Sequence, residues 1–278
     1  MLNEIRVALA QYSVTLGDKE ANLEKVREGV ERAKQEGAHL IVFPELFLTG
    51  YALGEEYYSI SETVPGPTTK VLARLAKDSD MYIVVGMPVV AGPYSLTRNS
   101  AVLVAPDGGT EVYHKMHLPT GVAGGVPHYE GMYFQPGTEL PVLDTPIGKL
   151  GIMVCMDACL PETARVMAVK GAELLICPFA CPDPWWPTIE MICRVRAVEN
   201  GVYFAGVNNI GPQKTLGFSG GSLLADYSGN ILVSAGDRKD EVVVGTVDFA
   251  ALRKYRPTFF WLKERKPWLY EELCQIVE

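Results

Sequence analysis

Three kinds of side chain that together can carry out acyl transfer stand at the ends of separate apolar segments in this chain of 278 residues. Cys155 follows one apolar run and precedes residues that could begin a helix, while Glu45 and Lys115 each follow another. A thiol can attack a carbonyl carbon, a carboxylate can accept the thiol proton, and an ammonium can stabilise the resulting oxyanion. These residue types therefore indicate acyl transfer through a thioester.

Cys155 is the candidate nucleophile because of the local pattern around it. A strand-to-helix turn would project its thiol into a cleft, and the first N–H groups of the helix are expected to lower its pKa. A cysteine in an apolar segment is more often structural, and we interpret the other five cysteines in that way. Cys159, about one helical turn further on, is expected to lie near enough to affect the oxidation of Cys155.

Glu45 is the candidate general base. It follows Phe43 and Pro44, and because proline disfavours the continuation of a central strand, the carboxylate is expected at a strand end that faces a cleft. Apolar surroundings should raise its pKa, which suits a base for a thiol. His114 and His117 flank Lys115, so a Cys–His pair stays open as an alternative at this point.

Taken in order, three motifs of the chain resemble those of the nitrilase, or carbon–nitrogen hydrolase, superfamily. They are F-P-E ending at Glu45, Y-x-K-x-H-L around Lys115, and C-x-D-x-x-x-P-E beginning at Cys155. The resemblance covers nearly the whole chain and includes Glu130, which stands seven residues before Gly137. Further similar segments are 194–200 and 265–270.

The resemblance implies roles for these residues. Glu45 would be the base, Lys115 the oxyanion stabiliser and Cys155 the nucleophile, and Glu130 would hydrogen-bond the lysine or the amine of the substrate. We assign oxyanion or substrate-binding positions to Met156, Tyr51, Asp157, Phe179 and Ala180.

The predicted reaction uses no metal and no organic cofactor, because the thiol supplies the covalent step. Two pairs of cysteines separated by three residues, Cys155 with Cys159 and Cys177 with Cys181, could suggest a four-thiolate metal site. Zinc sites of this kind often have gaps of two residues, and prolines stand beside the second pair. We therefore expect no metal.

The residues after Cys155 bear on the substrate. Nitrile-hydrolysing members of the superfamily have Trp-Glu there, whereas this chain has Met156 and Asp157, which favours amides. The segment 127–137 is similar to that of members acting on N-carbamoyl amines such as N-carbamoylputrescine. However, Met156 and residues 158–160 would make the wall beside the nucleophile less aromatic than in those members. We predict hydrolysis of a small carboxamide, with a carbamoyl amine and then a nitrile as alternatives.

Two alternatives from other classes are kept. One is a non-catalytic relative that binds small molecules, against which the intact Glu45, Lys115 and Cys155 argue. The other is a serine or Cys–His hydrolase. The segment Gly217–Gly221 fits G-x-S-x-G, but a nucleophile elbow needs a strand before it and a helix after it, and here a strand-like segment follows.

Composition and periodicity place these residues in a globular α/β protein. The chain is 48% hydrophobic and 21% charged with a net charge of −8, and it has no basic stripe, so we expect no binding to nucleic acid or membranes. Apolar strand-like runs alternate with helical patterns throughout, which predicts one domain over residues 1–278. The resemblance implies a four-layer α-β-β-α sandwich and at least a homodimer.

Two segments and the cellular location complete the predictions. The aromatic tail at about residues 250–278 is expected to pack at an oligomer interface. The glycine-rich segment Gly121–Pro127 could be a flexible loop or a lid. The scattered cysteines and the absence of an apolar stretch in the first residues favour a cytoplasmic location.

Overall fold

Two six-stranded sheets form the centre of the computed structural model, which describes residues 1–123 and 125–275. Gly124 of the glycine-rich segment and residues 276–278 of the predicted tail lie outside the described residues. The strands are β1 (Glu4–Gln11), β2 (Leu40–Val42), β3 (Tyr82–Ala91), β4 (Leu96–Val104), β5 (Thr110–His114), β6 (Thr120–Ala123), β7 (Val126–Tyr129), β8 (Val142–Thr145), β9 (Gly148–Ile152), β10 (Leu174–Phe179), β11 (Tyr203–Asn208), β12 (Ile210–Gln213), β13 (Leu216–Ser219), β14 (Leu223–Ala225), β15 (Ile231–Ser234) and β16 (Glu241–Asp248).

The two sheets have the same pattern of strand directions. The first runs β16-β1-β2-β3-β4-β5, and the second runs β8-β9-β10-β11-β14-β15 when listed from its other edge. In both, an antiparallel edge pair is followed by two parallel pairs and then two antiparallel pairs. The carboxyl ends of three parallel strands therefore lie together in each sheet, and this is where ligands usually bind in such sheets.

The chain has several α-helices, of which the longer ones cover the outer faces of the sheets. They are α1 (Lys19–Gln35), α2 (Tyr57–Ile60), α3 (Pro67–Ser79), α4 (Glu130–Tyr133), α5 (Pro161–Val169), α6 (Trp186–Asn200) and α7 (Phe249–Tyr255). Helices α1 and α3 pack on the first sheet, and α6, with α5 beside it, packs on the second. Asp18 caps α1, accepting a hydrogen bond of 3.0 Å from the N–H of Ala21.

The period-2 alternation of side chains explains the layers. In β1, Ile5, Val7 and Leu9 belong to the core between the two sheets, while Ala8 and Ala10 face the core beneath α1 and α3. Because β1 has apolar residues on both of its faces, both must be covered. The second sheet covers one face, and helices α1 and α3 cover the other. The predicted four-layer α-β-β-α sandwich is confirmed.

One short segment differs from the sequence prediction, while the segment with the G-x-S-x-G motif is followed by a strand, β14, as predicted. Strands β6 and β7 pair as an antiparallel hairpin, so most of the segment predicted as a loop or lid is strand. Ser219, in the discounted G-x-S-x-G motif, ends β13, which pairs with β12. No helix in residues 1–123 and 125–275 is long and apolar enough to cross a membrane.

Some aromatic residues of the tail contact the domain, and others are exposed. Tyr255 stacks on Tyr227 at 4.5 Å between ring centroids, and Phe259 is buried against Tyr255. Phe260 and Trp268 are 62% and 66% exposed. The first part of the tail thus packs on its own domain, while its later aromatic residues lie on the surface.

Candidate active site

Glu45 lies just beyond the carboxyl end of β2 and is completely buried. Its carboxylate accepts hydrogen bonds of 2.7 Å from both Lys115 Nζ and Asn99 Nδ2 on one oxygen, and of 2.8 Å from the Ala180 N–H on the other. The backbone reaches this position because Gly86 of β3 lets it approach closely: a Cβ there would lie 2.4 Å from the Pro44 carbonyl oxygen. Three donors therefore fix the orientation of this carboxylate.

Lys115 lies between two acidic side chains. Its Nζ donates to Glu45 Oε1 and to Glu130 Oε1, each at 2.7 Å, and it is completely buried. Burial alone would lower the pKa of Lys115, but the two carboxylates outweigh it and hold that pKa well above its usual value. The ammonium is therefore charged at neutral pH.

Glu130 begins α4 and is 4% exposed. It accepts a hydrogen bond of 2.7 Å from Tyr51 Oη in addition to that from Lys115, and Asn99 Nδ2 lies 3.2 Å from its second oxygen. Burial raises the pKa of Glu130 to about 7, since desolvation and the Glu45 charge exceed the opposing effect of Lys115. Glu130 can thus change its protonation near neutral pH.

Cys155 follows β9 and begins a 3₁₀ helix, Cys155–Cys159. Its φ of +48° is in the left-handed region, which is costly for a residue with a Cβ and is found preferentially at functional sites. The residue as a whole is partly exposed, although its thiol is buried. Because β9 pairs with β10, and the Ala180 N–H just beyond β10 binds Glu45, Cys155 lies at the same strand ends as the Glu45–Lys115–Glu130 cluster.

The expected lowering of the Cys155 pKa is wrong. Burial raises the pKa of this thiol well above its usual value, the Glu45 charge adds to the effect, and Lys115 opposes it. The helix that follows is a short 3₁₀ segment and does not offset these effects. Cys155 therefore rests as a thiol, which makes a neighbouring base necessary for attack.

Asp157 was assigned to substrate binding from the sequence, but its carboxylate binds other residues of the protein. It is completely buried and accepts hydrogen bonds from the Tyr113 hydroxyl at 2.8 Å, the His117 N–H at 2.9 Å and the Val154 N–H at 3.0 Å. The carboxylate is therefore occupied by the protein itself. It connects the segment that carries Lys115 to the turn that carries Cys155.

Phe179 and Ala180 also make contacts other than those assigned from sequence. The Phe179 carbonyl accepts from the Glu45 N–H at 3.3 Å, and the Ala180 N–H binds the Glu45 carboxylate. Both side chains are buried, so these two residues position Glu45. Tyr51 and Met156 border the site, the first through Glu130 and the second as a 37% exposed side chain next to Cys155.

The two histidines that kept a Cys–His pair open have other partners. His114 Nδ1 lies 2.7 Å from the Ser100 hydroxyl, and burial together with Arg98 lowers the pKa of His114 to about 4. His117 Nδ1 lies 2.7 Å from Asp157 Oδ1. The geometry therefore associates Cys155 with Glu45 rather than with an imidazole.

No group of three or more His, Cys, Asp or Glu side chains in the part of the chain that the structure describes is arranged to hold a metal ion. The four cysteines once considered as a thiolate site are free. The pKa of Cys177 and of Cys181 is raised by burial, which disfavours the thiolate form that a metal ligand needs.

Sequence reasoning missed two residues that hold Glu45. Asn99 in β4 binds its carboxylate, and Asn209, between β11 and β12, donates to its carbonyl oxygen at 3.0 Å. Both asparagines are buried. The available signal was a polar amide at the edge of an apolar strand, since such a group needs a partner when it is buried.

Comparisons with known proteins agree with this arrangement. The profile of the carbon-nitrogen hydrolase family matches residues 6–257. A protein of Pyrococcus abyssi named nitrilase is 34% identical over 256 residues, which is 91% of this chain and 93% of that protein. The crystal structure of a carbon-nitrogen hydrolase from Helicobacter pylori superposes with a TM-score of 0.86 at 26% identity and covers 99% of this chain and 100% of that one.

A third similar protein informs the chemistry of the cysteine. It is a variant of the amidase from Nesterenkonia sp. AN1, with a TM-score of 0.82, 27% identity and 96% of each chain covered. In that structure the acetamide moiety of fluoroacetamide is covalently added at the active-site cysteine. With a matching family profile, close structural similarity and the buried Glu45–Lys115–Glu130 cluster beside Cys155, this chain belongs to the carbon–nitrogen hydrolase family and is an amidase-like enzyme.

Proposed function

We propose that the chain hydrolyses a small linear carboxamide and releases ammonia through a thioester on Cys155. The observation that carries this proposal is the Lys115 ammonium held at 2.7 Å from both Glu45 and Glu130, beside a thiol whose pKa responds to all three. A base, a cation and a nucleophile in one buried cluster meet the needs of acyl transfer.

In the first half of the reaction, Glu45 takes the proton of Cys155 as the sulfur attacks the amide carbon. Lys115 and the backbone N–H of Met156 stabilise the negative charge on the carbonyl oxygen. The C–N bond then breaks, and the proton held by Glu45 passes to the leaving nitrogen, so that ammonia departs and the acyl group stays on sulfur.

In the second half, water attacks the thioester carbon and gives its proton to Glu45. The C–S bond breaks, the acid leaves, and the proton returns to Cys155. Because the thiol is protonated at rest, Glu45 works in both halves as the same proton carrier. Glu130 and Asn99 keep Glu45 and Lys115 in place throughout.

Carboxamides are preferred here over two alternatives. Met156 and Asp157 stand where the nitrile-hydrolysing branch has Trp-Glu, which argues against a nitrilase. A carbamoyl amine such as N-carbamoylputrescine is supported by the resemblance of segment 127–137, but the residues after Cys155 depart from those members. A non-catalytic binding role is opposed by the complete cluster of Glu45, Lys115 and Cys155.

The test is an ammonia-release screen over short carboxamides, carbamoyl amines and nitriles with purified protein. We expect release from carboxamides, and none from the same protein carrying Cys155→Ala. Ammonia from carbamoyl amines alone would move the substrate class to the first alternative. No release from any compound would reject the proposal.

We also propose that the chain forms a homo-oligomer, at least a dimer, through the exposed part of its tail, and that it acts in the cytoplasm. Phe260, Trp261 and Trp268 are 62%, 49% and 66% exposed, and aromatic residues are enriched at protein interfaces. Light scattering on the wild type and on Trp268→Ser tests this, since a monomeric wild type would contradict it.

A further inference from the structure

A small cavity of about 230 Å³ adjoins the cluster on the side of Glu130 and Tyr51. Five of its eleven lining residues are aromatic, among them Tyr51, Tyr57, Tyr133 and Phe134. The wall is tightly packed: the Tyr57 ring lies 4.6 Å from that of Phe134, and the Tyr57 hydroxyl donates to the Tyr51 carbonyl at 2.6 Å. A cavity of this size and lining suits the short carbon chain of a small substrate.

The inner end of the cavity reaches the reacting groups. Glu130 belongs both to the cavity wall and to the Lys115 cluster. Tyr51 does the same, because it lines the cavity and its hydroxyl donates a hydrogen bond of 2.7 Å to Glu130. A molecule whose amide lies at Cys155 can therefore extend past Tyr51 into this space.

The rim of the cavity carries a lysine, Lys214, in the two-residue turn between β12 and β13. Its φ of +55° is in the left-handed region, where such hairpin turns favour Asn or Gly. The turn is tied to the cavity, because Gln213 Oε1 accepts a hydrogen bond of 2.6 Å from the Tyr51 N–H. The left-handed backbone conformation of Lys214 is therefore unfavourable for a residue with a Cβ. The hydrogen bond between Gln213 and Tyr51 fixes the position of the turn relative to Tyr51.

The Lys214 ammonium is available for a ligand. Its one hydrogen bond, to the Leu53 carbonyl, is long at 3.5 Å, and none of the ion pairs among the described residues includes it. The Tyr133 hydroxyl lies near the same segment as that carbonyl, 3.5 Å from where a Cβ on Gly54, the residue after Leu53, would be. Two hydrogen-bond donors thus border one end of the cavity.

The charges of the site favour an anion at this end. The Glu45–Lys115–Glu130 cluster holds two carboxyl groups and one ammonium. An anionic group of the substrate would therefore be repelled if it lay close to this cluster. Lys214, an exposed residue that lines the same cavity, supplies a positive charge outside that cluster. A chain of methylene groups would separate the amide from that charge.

We propose that Lys214 is a specificity-determining residue that binds a carboxylate at the end of the substrate remote from the amide. The substrate class is then the mono-amide of a short dicarboxylic acid. This inference rests on the proposed amide hydrolysis at Cys155 and adds the residue that selects among amides.

The test compares two amides of the same length, the mono-amide of glutaric acid and pentanamide, which differ in having a carboxylate or a methyl group at the far end. We expect the wild type to have the higher kcat/KM for the anionic amide. In Lys214→Gln the ratio of the two values should fall by roughly 5- to 30-fold, as for the loss of a partly covered ion pair. Lys214→Arg should keep most of the ratio.

The matched control is Lys70→Gln, which removes an exposed lysine from α3 and should leave the ratio unchanged. Raising the salt concentration should reduce the ratio for the wild type and not for Lys214→Gln. An unchanged ratio in Lys214→Gln, or a wild type that prefers pentanamide or 5-aminopentanamide, would overturn the inference while leaving amide hydrolysis intact. Failure of the proposed function is recognised separately, because neither the two compared amides nor 5-aminopentanamide would then release ammonia.

Discussion

Tyr113 donates a hydrogen bond of 2.8 Å to Asp157 Oδ2, and both residues are buried. Tyr113 lies in β5, two residues before Lys115, and Asp157 lies two residues after Cys155. Asp157 also accepts from the His117 and Val154 N–H groups, on either side of the same junction. One carboxylate thus fixes the distance between the cation and the nucleophile, which come from different sheets.

Tyr113→Phe should therefore weaken the contact between Asp157 and the segment that carries Lys115, without removing a reacting group. Asp157 keeps its other donors, so we expect the free energy of unfolding to fall by about 1–2 kcal/mol, as for one buried hydrogen bond. We expect kcat to fall more than KM changes, since Lys115 and Cys155 lose their fixed separation. Urea unfolding and steady-state kinetics measure both, and unchanged kcat would show that the junction only supports the fold.

Glu45→Gln should lower kcat/KM by about 10²–10⁴-fold, the usual contribution of a positioned base. Glu45 accepts from three donors, so a glutamine must turn its NH₂ group toward one of them, and we expect about 1–3 kcal/mol lower stability as well. Activity is therefore measured at a temperature where the variant is folded. A harmless Glu45→Gln together with a damaging His114→Ala or His117→Ala would favour a Cys–His mechanism instead.

Because of Glu130, the free energy of unfolding should depend on pH between the pKa of this residue in the unfolded chain and its pKa in the folded protein. Its pKa is about 7 in the folded protein and 4.5 in its ordinary state, so within this window the folded chain holds a proton that the unfolded chain has lost. Its contribution to stability is fully present below pH 4.5 and is lost as the pH rises through 7. The free energy of unfolding of the wild type, relative to that of Glu130→Gln, should fall by on the order of 2–3 kcal/mol from pH 5 to pH 8.

This comparison uses denaturant unfolding of both proteins at the two pH values. The titration of every other group largely cancels between them, because only position 130 differs. A relative stability that stayed constant or rose with pH would show that Glu130 is already ionised in the folded protein at pH 5.

Amides should be hydrolysed much faster than the nitriles with the same carbon skeleton. Attack on a nitrile gives a thioimidate whose nitrogen must be protonated in place, whereas an amide needs its oxyanion held by Lys115 and the Met156 N–H. Both routes share one acyl-enzyme, so the discrimination arises before it. Measured kcat/KM values for matched pairs test this, and equal or higher values for the nitriles would show that Met156 and Asp157 do not set the reaction class.

Local patterns in the sequence predicted an α/β protein and the candidate reacting residues, whereas the four layers were implied by the family resemblance. Apolar strand-like runs that alternate with helical patterns indicate strands and helices, and the motifs mark the ends of strands. The sequence could not predict the environment of Asp157, whose partners Tyr113 and His117 lie about 40 residues away in the chain. The contribution of Asn99 and Asn209 was likewise hidden, because their contacts with Glu45 exist only after two sheets have packed together.

The pKa of Cys155 shows why local reasoning was insufficient. A helix start after a thiol suggests a lowered pKa, but the thiol is buried near the Glu45 charge, and both effects raise its pKa. Desolvation is a property of the packed site and cannot be read from the residues that neighbour Cys155 in sequence.

The most direct test of the account is mass spectrometry of the enzyme quenched with acid during turnover of a carboxamide. We predict that the peptide containing Cys155 gains the mass of the acyl group, and that hydroxylamine removes this mass, as expected for a thioester. Cys155→Ser should lack both the adduct and turnover, while Cys159→Ser, the matched control, should retain both. Turnover without an adduct at Cys155, or more than a tenth of wild-type activity in Cys155→Ser, would contradict the thioester mechanism.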